Sequence, residues 1–247
     1  MKRIAAAVVA AGLLTCTALT PVPSDHGRAV VFDAPFSDAS NWTAGRTSAY
    51  PPPDALGSQC NTANGKLDCI SPNWSAPEGD TFTAHKTHDG RWDADEVTTQ
   101  YSPRHFQLRT GDEVRARVTL HADSGAWAAL WTWPAEVDLF EYHAVHPDEL
   151  ELYNHANPAG YSGKGSSCWC GHLIRPGKAF NLQVRLLPTG IEWLIDGRAA
   201  FTSSTLPPTW RAYLIVNLSI DSGQRAPAAH ATTASFTLAG LEVLRQT

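Results

Sequence analysis

Residues Glu113 to Leu120 alternate without a break. Val114, Ala116, Val118 and Leu120 share one face; Glu113, Arg115, Arg117 and Thr119 share the other and should point outward. A period of two predicts a half-buried strand. Shorter runs give strands over Thr81 to Lys86, Glu96 to Tyr101, Leu150 to His155 and Phe180 to Leu187. Pro188-Thr189-Gly190 turns the chain into Ile191 to Ile195, and Asp196-Gly197 is a further hairpin signal. Arg211 to Ile220 has two faces: Leu214, Val216, Leu218 and Ile220 against Tyr213, Ile215, Asn217 and Ser219. Residues 235 to 244 supply a last strand, while Pro, Gly, Ser and Asn over 43 to 80 predict long loops. Many short strands, turn residues between them and no long helical period predict an all-β sandwich.

Within this pattern one stretch combines alternation with chemistry. Trp127, Ala129, Trp131 and Trp133 fall on one face, and Ala128, Leu130 and Thr132 on the other. The tryptophans could be core. Small residues opposite them fit a tight interior instead, with the indoles on a cleft where aromatic rings stack on sugars. Immediately after comes Glu136-Val137-Asp138-Leu139-Phe140-Glu141. In a regular strand Glu136 and Asp138 would share a face with Phe140, and Glu141 would point into the core as an unpaired charge. One extra residue at Leu139-Phe140, a β-bulge, returns Glu141 to the side of the other two acids. The glutamates would then lie roughly 13 Å apart by Cα, at about 3.3 Å per step, with stems leaning together. A carboxylate pair is what glycoside hydrolysis uses. Periodicity alone also admits a helix starting at Pro134, with Val137, Phe140 and Ala144 on one face.

Glu136-x-Asp138-x-x-Glu141, preceded by Gly125-x-Trp127-x-x-x-Trp131, resembles the signature of glycoside hydrolase family 16, the β-glucanase and laminarinase group. Phe32-Asp33-x-x-Phe36-x-Asp38-x-x-x-Trp42 resembles the family's opening strand, and Trp193-Leu194-Ile195-Asp196-Gly197 one of its turns. Two departures are a short segment between Trp131 and Glu136, and Ala135 where the family often has Gly. The resemblance, over residues 30 to 245, favours the bulged strand. It implies a jelly roll of two curved antiparallel sheets, a β-jelly-roll sandwich of the concanavalin A-like lectin and glucanase kind. It implies Glu136 as nucleophile, Glu141 as general acid and base, and Asp138 between them, bonding the nucleophile and raising the pKa of a neighbouring acid. Trp127, Trp131, Trp133, His155 and Asn217 would bind substrate. The implied activity is retaining, endo-acting hydrolysis of a β-linked polysaccharide, first of all β-1,3-glucan. The alternatives are a non-catalytic jelly-roll lectin and a transglycosylase using the same residues. No cofactor is required by this chemistry; some relatives carry a structural calcium, for which no ligand cluster stands out.

Composition and charge add bounds. The 247 residues, 43% hydrophobic, suffice for one sizeable core. A net charge of −5 gives no basic footprint for nucleic acid. Met1-Lys2-Arg3 followed by apolar Ile4 to Leu14 reads as a secretory signal too short to span a bilayer, so 1–26 is expected to be a signal peptide and 27–247 one exported catalytic domain, monomeric and free of the membrane. Beyond that signal lie Cys60, Cys69, Cys168 and Cys170. In an exported protein an even set suggests disulfides, and local pairing, Cys60–Cys69 with Cys168–Cys170, is favoured over a zinc site of Cys168, Cys170 and His172.

Overall fold

The computed structural model describes residues 27–71, 77–156, 166–169, 172–203 and 206–247. The expected signal segment, the Cys168–Cys170 pairing and the alternative zinc site fall outside the described residues. In chain order the strands begin with β1 (Arg28–Asp33), β2 (Thr43–Ala44), β3 (Gln59–Cys60), β4 (Asp68–Ile70), β5 (Thr81–Lys86) and β6 (Trp92–Ala94). There follow β7 (Glu96–Thr98), β8 (Gln107–Arg109), β9 (Glu113–Leu120), β10 (Ala126–Trp133), β11 (Val137–His143) and β12 (Glu149–Asn154). The last are β13 (Ser166–Trp169), β14 (Ala179–Leu187), β15 (Gly190–Ile195), β16 (Arg198–Ser203), β17 (Arg211–Ile220) and β18 (Thr233–Gln246). Two short 3₁₀ turns, Thr62–Asn64 and Gly223–Arg225, are the only helical elements among the described residues.

The strands form two sheets. One runs β16-β15-β14-β9-β18-β5-β6-β4-β3 with β1 beside β18; the other runs β13-β12-β11-β10-β17-β7-β2 with β8 beside β17. Every described ladder is antiparallel except β4 with β6. This is the all-β sandwich that the alternation predicts, in the jelly-roll form that the resemblance implies. Val114, Val118, Leu214, Val216 and Leu218 are fully buried and meet Leu130, Leu139 and Phe140 between the sheets. Trp193, Phe82 and Phe236 add the large rings of that core. Each such buried side chain contributes about 1.5–3 kcal/mol.

One outward position is covered rather than solvated. Glu113 keeps its place on the outer face of β9, yet it is buried beneath Arg28, Arg115 and Arg185 at 3.3, 2.6 and 3.4 Å. Three guanidinium groups around one carboxylate compensate its desolvation.

The 43 to 80 region holds more pairing than its composition suggests. β3 and β4 pair through Cys60 and Cys69, which form a disulfide. The loop this closes is fastened to β17's end: Leu67 donates to the Ile220 carbonyl at 2.7 Å, and Ile220 donates to Asp68 Oδ1 at 2.6 Å. It therefore lies against the sheet that carries the acidic motif.

Candidate active site

The site is built on the hairpin β10–β11. Thr132 starts it: its Oγ1 accepts the Val137 N–H at 2.8 Å, which brings the chain back after residues 133–136. Ala135 in that turn has φ of 58°, a backbone conformation that favours glycine, the residue the family resemblance places there. At the other end Gly125 opens β10 with φ of 81°, and a Cβ there would meet Pro227 at 2.7 Å. The first glycine of the Gly-x-Trp segment thus has a steric reason to be one.

Residues 137–143 form a strand, not a helix, and the strand is bulged. Asp138 pairs with Trp131 and Phe140 with Leu130, so Leu139 is one residue in excess. The other side agrees: Asp138 faces Tyr153 and Glu141 faces Glu151, three steps against two. Leu139 and Phe140 are consecutive and both fully buried in the core. The carbonyl that the bulge frees at Leu139 accepts the Trp193 indole N–H from the opposite sheet at 3.0 Å.

The bulge delivers its side chains to a cleft of about 370 Å³ on the far face of the eight-stranded sheet. Glu136, Asp138 and Glu141 line it together with Trp127, Trp131, Trp133 and His155. Trp127 donates to Glu141 Oε1 at 3.0 Å. His155 Nε2 lies 3.3 Å from Asp138 Oδ2. The sequence reading gives Asp138 to Glu136; the partner seen is His155.

Asn217 stands on the expected face of β17 but one layer down. It is 1% exposed and does not line the cleft. Its register opposite Ala129 puts it between Trp131 and Ser219. It accepts the Trp131 indole N–H at 2.7 Å and donates to Ser219 Oγ at 2.8 Å. In this structure it holds the tryptophan that faces the cleft.

Burial pushes Glu141 up to about 8, and the Asp138 charge adds to this, while Lys66 and the Trp127 hydrogen bond oppose it. Burial and Asp138 likewise raise Glu136 to about 7. Asp138 is raised by burial as well, against the His155 hydrogen bond, and that bond is the main cause of a raised His155 pKa. Crowded, half-desolvated carboxyls of this kind hold protons into the neutral range, which is what general acid catalysis needs. Glu136, Asp138 and His155 bring ligand atoms within 4.8 Å of one another. Two of the three, Asp138 and His155, already pair with one another.

Several contributors were not legible in the sequence. Tyr50, Asn61, Asn64 and Lys66 form part of the cleft lining and come from the region that reads as loop. Lys66 donates to the Tyr50 hydroxyl at 2.8 Å and stands 4.4 Å from the Trp127 ring centre. The one signal available was the cysteine pair that brackets it. Beside Trp127, His143 bonds Asp221 at 2.7 Å and stacks on the indole at 4.4 Å. A second cavity of about 440 Å³ opens on the ten-stranded sheet between Arg117 and Gly240, with no comparable set of acids.

No protein-family model and no curated protein matches the sequence. Solved structures do match its fold. An endo-β-1,3-glucanase from Pyrococcus furiosus aligns at TM-score 0.69 and 16% identity, over 89% of this chain and 95% of that one. SCLam, a non-specific endo-β-1,3(4)-glucanase from family GH16, aligns at 0.68 and 20% identity over 92% and 94%. Rv0315, a pseudo β-1,3-glucanase of Mycobacterium tuberculosis, aligns at 0.62 and 16% identity over 88% and 99%. The chain has the jelly-roll fold of these proteins.

Proposed function

We propose that this chain is a retaining, endo-acting glycoside hydrolase of β-linked polysaccharide, with Glu136 as nucleophile and Glu141 as acid and base. The observation that carries the reading is the bulge at Leu139, which sets three carboxylates on one wall of a tryptophan-lined cleft. In the first step the Glu136 carboxylate attacks the anomeric carbon while Glu141 protonates the departing glycosidic oxygen. The product is a glycosyl ester on Glu136. In the second step ionised Glu141 takes a proton from water, the water oxygen bonds the anomeric carbon, and Glu136 leaves as carboxylate. Asp138 bonds His155 and stands beside both groups, and its charge favours a protonated Glu141 at the outset.

A neutral β-1,3-glucan is the proposed substrate. The three tryptophans that line the cleft suit the apolar faces of neutral sugar rings. Two of the fold relatives are glucanases by description. We place the enzyme outside the cell, where the Cys60–Cys69 disulfide would persist, and expect no metal requirement.

The test is incubation with laminarin, mixed-linkage glucan, agarose and carrageenan, reading reducing ends and product lengths. Glu136→Gln and Glu141→Gln should each lower turnover by at least about a hundredfold with the fold intact by circular dichroism. Wild-type binding without product would favour the lectin reading, for which the pseudo-glucanase of the same fold is a precedent. Longer products than substrates would indicate transglycosylation.

A further inference from the structure

Lys66 is the one lysine or arginine among the described residues that line the cleft, and nothing in the double-displacement scheme uses it. It is a deliberate placement by ordinary criteria. The Cys60–Cys69 disulfide closes the loop, the 3₁₀ turn Thr62–Asn64 and left-handed Gly65 bend it, and the Lys66 backbone then forms an isolated β-bridge with Asp221, just after β17. The side chain is 7% exposed. A buried ammonium is costly unless compensated. Here the Tyr50 hydroxyl accepts from it at 2.8 Å, and it faces the Tyr50 and Trp127 rings at 4.9 and 4.4 Å. Burial pulls its pKa down, but Tyr50, Asp68 and Glu141 more than offset this, and it stays charged.

We infer that Lys66 is a positioning residue for the reaction: through Trp127 and through its own charge it sets the pH range in which Glu141 can act as the acid. Two physical links support this. A cation on the face of an indole is held by the ring quadrupole and fixes the ring. It also draws electron density from the ring, which makes the indole N–H a stronger donor. That N–H bonds Glu141 Oε1 at 3.0 Å, and a donor to a carboxylate favours its ionised form. The second link is direct Coulomb attraction, which acts in the same direction.

Other charges face Glu141 and must be weighed. On β11, Asp138 opposes its ionisation, and Glu136, before the strand, lines the same cleft. On β12, Glu151 stands directly across and opposes it too, with Arg225 at 3.9 Å from that carboxylate and Tyr153 nearby. His155 bonds Asp138, while His143 bonds Asp221 through Nδ1 and turns Nε2 to within 3.9 Å of Glu151. Asp68, below the cleft, shares the Lys66 charge. Lys66 is thus an ammonium that offsets part of this excess of acids, and without it Glu141 would hold its proton to higher pH and be a weaker acid in the first step.

This inference rests on Glu141 being the acid and base, so the test reads protonation apart from turnover. Carbon-13 carboxyl titration of wild type, Lys66→Met and Lys66→Arg is compared with the pH dependence of kcat/KM on laminarin. Lys66→Met should raise the Glu141 midpoint by about half a unit or more. The alkaline limb of kcat/KM should rise by the same amount, and Lys66→Arg should restore both. Should Lys66→Met fail to fold, the double variant Lys66→Met with Asp68→Asn removes the buried charges together and keeps the acceptor for Ile220; the Glu141 midpoint should still rise. A moved midpoint in a protein inactive on every glycan would sink the hydrolase reading and leave the coupling standing. A Glu141 midpoint unchanged in the folded variant, with only stability lost, would overturn the inference and leave Lys66 as a loop fastener.

Discussion

Glu136 and Glu141 can do opposite jobs only while one is ionised and the other is not. Burial and Asp138 set them at about 7 and about 8, so that state is populated in a narrow range between the two. The nucleophile must be deprotonated, so kcat/KM should rise as pH passes the lower value. The acid must be protonated, so it should fall as pH passes the upper one. The expected profile is a narrow bell centred between 7 and 8, its limbs belonging to the carboxyl set as a whole. Asp138→Asn removes a charge that raises both groups, so both limbs should move to lower pH. A bell centred near pH 5 in the wild type, or an Asp138→Asn profile moved to higher pH, would contradict this picture. The three acids were visible in the sequence because their spacing is local. The pairing of Asp138 with His155 was not, although His155 was expected in the cleft: the two meet through the turn between β11 and β12, whose geometry no local period records.

At the scale of elements, alternation was sufficient for most strands, and β5, β9 and β17 have the bounds it predicts. The bulge was legible too, since two apolar residues between Asp138 and Glu141 cannot both be accommodated in a strict alternation. What holds the bulge was hidden. Trp193 lies 54 residues from Leu139, and nothing in the spacing pairs its indole with a freed carbonyl. The short strands β3 and β4 were hidden for another reason, as two or three residues carry no period. With them went Lys66 and one wall of the cleft. The bulge's support can be tested. Trp193→Phe keeps an aromatic ring in the core but removes the donor, leaving the buried Leu139 carbonyl unpaired at about 1–3 kcal/mol. Denaturant unfolding should show that loss. Because the bulge aims Glu141, kcat should fall more than KM changes. A stability loss with kcat unchanged would mean that the packing of Leu139 and Phe140 alone fixes the bulge.

Across the whole molecule, the cleft and the residues packed around it hold several acids whose burial is not fully compensated. Glu96 in β7 is fully buried, opposite Asn217, and neither of its carboxyl oxygens has a hydrogen-bond partner among the described residues. Burial raises it from 4.5 to about 8, with Lys66 opposing. Asp68 and Asp95 are each raised to about 6, again by burial. Glu136 and Glu141 add to the set. In the unfolded chain these groups titrate near about 4. Between that value and about 8 the native state therefore binds more protons than the unfolded state, so stability falls as pH rises through the window. The raised His155 acts in the same direction, since its bond to Asp138 is lost as pH passes its folded value. Asp38 and Asp89 have lowered values and act oppositely, but they are exposed and do so only in the acid range. The melting temperature should accordingly be higher at pH 5 than at pH 8, the reverse of a protein held by salt-bridged carboxylates. Glu96→Gln isolates the largest contribution outside the catalytic set. It removes the charge while keeping the shape, so it should match wild type at pH 5, exceed it at pH 8 and flatten the slope between. Thermal melts of the two proteins across this range decide the matter: a wild type most stable at pH 8, or a Glu96→Gln slope as steep as wild type, would show that Glu96 is ionised and compensated in the folded protein.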